Sequence, residues 1–194
     1  MNIYDFDDTI YDGDTCKDII KYGLKKHPIL TTKSLIKASI LNKKYKKGLI
    51  EFEIVKETML SFIFKIKNYK EFVNDFVNLH MKNIKSFYKE RQSEFDVIVT
   101  ASYELWINVF AEKIGIKHVI GTKTDDKGHI IGKNCKGEEK INRIKEEFPN
   151  IAYMCSYSDS SVDIPILELS NIAFVVEGNN LNPYVKGYKF KNNK

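Results

Sequence analysis

Three carboxylates fall within four consecutive positions, Asp5, Asp7 and Asp8, directly after the apolar pair Ile3-Tyr4. Residues 1–4 read as a short buried strand, which places the acids at a strand end. Side chains alternate along a strand, so Asp5 and Asp7 point the same way if the extended backbone persists. Acids this close repel one another, and a fold tolerates them when a cation neutralises the cluster. Carboxylates, carbonyls and water are the ligands Mg²⁺ prefers. One of two such acids can hold metal and attack while the other moves a proton. An acidic turn is the alternative, and an isolated Asp-x-Asp does not decide between them.

Three later signals extend the argument. The run Phe95 to Thr100 reads as a buried strand, followed by Ala101 and Ser102. The hydroxyls of Thr100 and Ser102 can donate to a phosphate oxygen. Next, Gly137-Glu138-Glu139-Lys140 opens a helix with a lysine in its first turn, where the helix dipole disfavours a cation. Lys140 is then either a solvated surface residue or a cation aimed at an anion pocket, with Lys136 as the competing candidate. Finally, the expected strand 151–157 runs into Ser158-Asp159-Ser160-Ser161-Val162-Asp163. Two acids four apart repeat the problem posed by Asp5 and Asp7. A single Mg²⁺ answers both if the strands are neighbours.

The chain divides into two compositional regimes. Residues 15–90 read as all-helical and hold 17 lysines against 7 acids, while the rest holds 14 basic and 19 acidic residues. Within the helical part we expect helices over about 15–26, 31–42 (N-capped by Thr31 or Thr32), a third after Gly48, and a fourth from Asn68 to about Tyr88. The remainder alternates strand and helix. Strands are expected at 118–121 and 172–176, a small hairpin at 122–132, and helices at 104–114, 138–148 and 164–169. That alternation predicts an α/β fold with a Rossmann-like parallel sheet in three α/β/α layers, carrying an inserted all-helical subdomain. The boundaries are 1–14 and 91–194 for the sheet domain and 15–90 for the insertion. Ligands of such sheets bind at the carboxyl ends of the strands, where every polar signal above falls.

The three cysteines are widely spaced with no C-x-x-C pair, and the four histidines show no ligand spacing. With no secretory leader or membrane-spanning run expected, the location read from the sequence is cytoplasmic.

The order Asp-x-Asp-x-Thr, then Thr or Ser, then Lys, then Asp-x-x-x-Asp resembles the haloacid dehalogenase superfamily of phosphohydrolases. Asp12-Gly13-Asp14-Thr15 and Gly137-Glu138-Glu139-Lys140 are similar to its phosphoserine-phosphatase-like branch, whose helical cap follows the first motif. One departure is Ser158, where the last motif usually begins with glycine. The resemblance implies Asp5 as nucleophile, forming an aspartyl-phosphate, and Asp7 as acid and then base. It implies Mg²⁺ held by the Asp5 carboxylate, the Asp7 carbonyl and Asp159, the phosphoryl group held by Thr100, Ser102 and Lys140, and support from Asp163 and Thr9.

The partner implied is a small-molecule phosphate ester, not a nucleic acid, and the oligomeric state is left open. Phosphoserine is expected to be a poor substrate: the branch holds the amino acid with a cap arginine and a glutamate, but residues 15–90 contain no arginine and Asp14 stands at the glutamate's place. Residues 15–47 hold ten lysines and one acid, Asp18. That excess fits an anionic membrane surface, as a lipid-phosphate phosphatase would need, or a solvated face reflecting composition alone. A phosphotransferase or mutase sharing the aspartyl-phosphate is the alternative enzyme class. A receiver-like module and a catalytically silent binding protein fit the chain less well.

Overall fold

A computed structural model describes residues 1–149 and 152–191. Its fourteen main elements, among the described residues, run β1 (Asn2–Tyr4), α1 (Thr15–Lys26), α2 (Pro28–Tyr45), α3 (Phe52–Leu60), α4 (Tyr69–His80), α5 (Ser86–Arg91), β2 (Asp96–Tyr103), α6 (Glu104–Lys113), β3 (His118–Thr122), α7 (Glu138–Glu147), β4 (Cys155–Ser158), α8 (Ile164–Leu169), β5 (Ile172–Glu177) and β6 (Asn180–Pro183). The sheet order is β3-β2-β1-β4-β5-β6. All pairings are parallel except β5 with β6. The α/β class with a Rossmann-like sheet is as expected.

β1 is short but central. Ile3 pairs with Val97 on one side and Ser156 on the other. Strands with neighbours on both edges and helices on both faces bury every side chain, which is why β2 reads as a near-continuous apolar run. Tyr4, Tyr157 and Phe174 stack across β1, β4 and β5 at ring separations of 4.2 and 5.2 Å. That ladder fixes the register of the strands that carry the acids.

Several boundaries differ from the sequence reading. α2 begins at Pro28, whose missing N–H suits the first helical position, and Thr31 lies inside it with its hydroxyl donating to the His27 carbonyl. The expected fourth helix is broken: a tight 3-10 turn at Met81–Asn83 separates α4 from α5. β2 runs on to Tyr103, and its register against β3 shifts between Val99 and Tyr103. The segment 122–132 forms only a single bridge, Thr124 to Ile130, not a ladder. The expected strand 151–157 begins at Cys155, and Ile151 itself lies outside the described residues. β5 is not the last strand, since Gly178, in the left-handed region, turns the chain back into β6.

The five helices α1–α5 do not stand apart from the sheet domain. Phe76 of α4 meets Phe110 of α6 edge to face at 6.1 Å, and one buried cluster runs from Phe62 and Phe72 through to Trp106.

Candidate active site

The carboxyl ends of β1, β2 and β4 meet around a polar cavity of about 130 Å³ lined by Asp5, Asp7, Asp14, Thr100, Lys136, Lys140, Asp159, Ser160 and Asp163. Residues remote in sequence come together here, as the shared-cation argument requires.

Lys140 is buried and bonds two acids at once, Asp5 Oδ1 at 2.7 Å and Asp163 Oδ2 at 2.9 Å. Gly137 makes this approach feasible. Its φ of 59° and ψ of −127° let the chain turn abruptly into α7, placing Lys140 in the first turn. The lysine that looked misplaced against the helix dipole is held by two carboxylates instead. Burial works against its charge, but Asp163 and Asp5 outweigh burial and raise its pKa. Asp5 has the opposite balance: burial pushes it up to about 8, Lys140 opposes, and the charges of Asp163 and Asp159 add to the rise. Two carboxylates share one ammonium, and the second negative charge lacks compensation. Lys136, by contrast, is exposed at the cavity wall.

Asp7 is held from both oxygens. The Thr15 backbone N–H, at the start of α1, donates to Oδ1 at 2.6 Å, and the Ser102 hydroxyl donates to Oδ2 at 2.6 Å. Behind Ser102 runs a relay whose direction is fixed at both ends. Trp106 Nε1 donates to Thr15 Oγ1 at 3.0 Å, so the Thr15 hydroxyl donates onward to Ser102 Oγ, also at 3.0 Å. The whole chain of bonds points at Asp7. Burial still raises the Asp7 pKa despite these donors.

Ser102 therefore faces Asp7 and does not line the cavity, whereas Thr100 does. The Thr100 hydroxyl accepts from the Ser102 backbone N–H at 3.0 Å, which leaves its own proton to donate elsewhere. Thr9 joins the first acidic loop to the last, accepting from the Asp159 backbone N–H at 3.0 Å. The Ser158 hydroxyl donates to Asp163 Oδ2 at 2.7 Å, giving that carboxylate a second donor. Glycine is not required at position 158, because Asp8 is the single non-glycine residue at positive φ among the described residues.

Lys56 of α3 carries no signal in the sequence because it is one of 17 lysines in residues 15–90 and matches no motif. It is buried, with Nζ bonded to the Ala101 carbonyl at 2.5 Å and to Asn134 Oδ1 at 2.7 Å. Burial pushes its pKa down. Glu53 and Glu57 of the same helix accept from the backbone N–H groups of Asn134 and Ile130. Together these bonds fasten α3 to the end of β2 and to the loop beyond β3.

The bonds around Asp7 give an expected result. Ser102→Ala removes one donor without touching the cavity wall, so KM stays nearly constant while kcat falls by about 10- to 100-fold. The loss is larger for an alkyl phosphate than for an aryl phosphate, whose leaving group needs less protonation. A leaving-group series on the purified variant reads the difference.

Comparisons with known proteins agree with this geometry. Residues 3–168 match the model of the haloacid dehalogenase-like hydrolases. Protein CicA of Caulobacter vibrioides is 37% identical over 82 residues, 39% of this chain, and the chain spans about 37% of that relative's length. Among solved structures, a protein with unknown function from Bordetella pertussis Tohama I superposes with a TM-score of 0.73 at 18% identity, covering 90% of this chain and 88% of that one. A phosphoserine phosphohydrolase-like protein from Francisella tularensis gives a TM-score of 0.57 at 16% identity, covering 90% and 85%. The family match spans the cavity-lining acids, Thr100 and Lys140, and this chain belongs to the haloacid dehalogenase-like hydrolases.

Proposed function

We propose that this protein is a phosphomonoesterase working through an aspartyl-phosphate on Asp5. The supporting observation is the buried trio Asp5–Lys140–Asp163, set beside an Asp7 whose two oxygens are both held. An Asp5 oxygen attacks phosphorus, the ester P–O bond breaks, and the departing alkoxide takes a proton from Asp7. Water then attacks the aspartyl-phosphate, Asp7 takes its proton, the bond between phosphorus and Asp5 breaks, and inorganic phosphate leaves. The raised pKa of Asp7 suits a group that must carry a proton and then give it up. Lys140 and Thr100 bind the phosphoryl oxygens in this reading, and Ser102 positions Asp7. Asp163, Ser158 and Thr9 hold Lys140 and the Asp159 loop in place.

The donor set fits magnesium. Oxygen ligands surround the cavity, and burial with the charges of Asp163 and Asp159 disfavours the Asp5 carboxylate beyond what Lys140 offsets, a balance a bound cation would reverse. The family resemblance implies the Asp7 main-chain carbonyl as a ligand, and the donors on both Asp7 side-chain oxygens suit that arrangement. Asp5, that carbonyl and Asp159 would hold the ion. When bound, Mg²⁺ neutralises charge on the transferring phosphoryl group. Among the described residues no three acidic, histidine or cysteine side chains gather as a metal site by themselves.

Residues 15–90 act as a cap over the sheet domain of 1–14 and 91–194 in this proposal, excluding water from the cavity. Phosphoserine remains a poor substrate. The cap has no arginine, and the buried Lys56 is already bonded to Ala101 and Asn134.

The reading is tested with an aryl phosphate. Hydrolysis should fall at least about a hundredfold on chelation and return with added Mg²⁺. Unchanged turnover by thoroughly metal-stripped protein overturns the metal assignment.

A further inference from the structure

The fully buried residues of α2 are small, with Thr31 0%, Ser34 1% and Ala38 5% exposed, and Leu30, Leu35 and Leu41 are half-buried beside them. Ser34 Oγ lies 3.0 Å from Ser61 Oγ, just past the end of α3. Its outer side carries Ile29, Ile36 and Ile40, exposed by 70%, 58% and 57%. With 3.6 residues per turn, these three lie within about 20° of one line opposite the buried face. The line is about 16 Å long at 1.5 Å rise per residue. Lys33 and Lys44 flank it on one side and Lys43 on the other, within about 60°. No acid occurs between Asp18 and Glu51.

A soluble helix normally turns its apolar stripe to the protein and its polar side to water. α2 has leucines on its inner side and still displays three isoleucines outward. A ridge of apolar side chains edged with lysines, and free of acids, suits contact with the headgroups of an anionic bilayer. Lysine stems can run alongside the apolar strip while their ammonium groups reach the phosphates. A second copy of the chain is a poorer occupant, since pairing two such faces sets lysine rows against lysine rows with no acid to separate them. Nucleic acid has no use for the isoleucine line.

We propose that α2 docks this protein on anionic membrane surfaces, with Ile29, Ile36 and Ile40 entering the acyl boundary and the flanking lysines contacting lipid phosphates. The contact lies beside the working face of the molecule. Tyr45, at the end of α2, lines a cleft of about 560 Å³ that also contains Lys136, and Lys136 lines the cavity around Asp5 as well. The proposal does not depend on the phosphatase reading, because α2 contributes no residue to the catalytic cavity.

Flotation of the full chain with phosphatidylcholine vesicles, with and without phosphatidylglycerol, tests it. The wild type should float with the anionic vesicles at low salt, not with the neutral ones, and added salt should weaken the binding. Ile36→Ser with Ile40→Ser should reduce partition at least about tenfold while keeping every charge. Thermal melting and aryl-phosphate turnover of that variant should match the wild type, since both residues are exposed and remote from the cavity. Three results would overturn the proposal: no flotation of the wild type at low salt, flotation that ignores the isoleucine substitutions, or a wild-type dimer that the same substitutions convert to monomer.

Discussion

Asp5→Asn should fold normally and hydrolyse aryl phosphates at least about 10⁴-fold more slowly than the wild type. An amide oxygen is too weak a nucleophile to attack phosphorus, so the covalent route closes. What remains is the cavity's electrostatic and positioning contribution. The fold should not suffer, because asparagine keeps the shape of aspartate and still offers Lys140 an oxygen. Stability should be equal or higher. Burial disfavours the Asp5 carboxylate, pushing its pKa to about 8, and the substitution removes that buried charge while Asp163 continues to hold the lysine. Steady-state assay, thermal melting and mass spectrometry of the quenched reaction check the three parts. Turnover near the wild-type rate, or a phosphorylated Asp5→Asn protein, would refute the assigned nucleophile.

Lys140→Met should damage both stability and activity. It strips the shared ammonium from Asp5 and Asp163, two buried acids that then face each other with no cation between them. Removing one partner from a buried ion pair costs about 3–5 kcal/mol. Loss of a preorganised cation at the transferring group costs about 10²–10³ in kcat. The two effects separate in a double variant. Lys140→Met with Asp163→Asn removes one of the abandoned charges, so part of the stability returns, while activity stays lost because the phosphoryl oxygens still lack their cation. Denaturant titration of the single and double variants measures the coupling directly. If the single variant is as stable as the wild type, Lys140 is not carrying the buried charge assigned to it.

The acids of this cavity were legible because their order carried the information. Asp5, Asp7, Asp159 and Asp163 follow apolar runs, and a parallel sheet delivers such positions to one end. Lys140 was legible for a different reason, as a cation on the wrong end of a helix. Ser102 was read from the sequence as a phosphate donor, and its turn toward Asp7 was not visible there. Whether a hydroxyl faces the ligand or a neighbouring carboxylate depends on the bend at the end of β2, where the register against β3 shifts. The relay from Trp106 through Thr15 was invisible because its members come from α6, α1 and β2, which share no local pattern. Lys56 hid among the 17 lysines of residues 15–90. The break at Met81–Asn83 was missed because apolar spacing continues across it while the backbone does not, and the start of α2 was set at 31 where proline opens the helix at Pro28.

The central position of β1 has a consequence for how the molecule comes into being. Its neighbours lie far along the chain: Asn2 bonds Asp96 across 94 positions, and Thr9 reaches Asp159 across 150. A three-residue strand gains little until both flanking partners arrive. As the polypeptide leaves the ribosome, the segment bearing Asp5 must wait, unpaired, while the helical stretch α1–α5 is made and can begin to collapse. The sheet then closes around it from β2 and later from β4, a high-contact-order sequence of events that favours slow maturation. Fragments ending before β4 would thus contain Asp5 and Asp7 yet hold no working pocket, and nascent chains should gain catalytic competence only once β4 has been made.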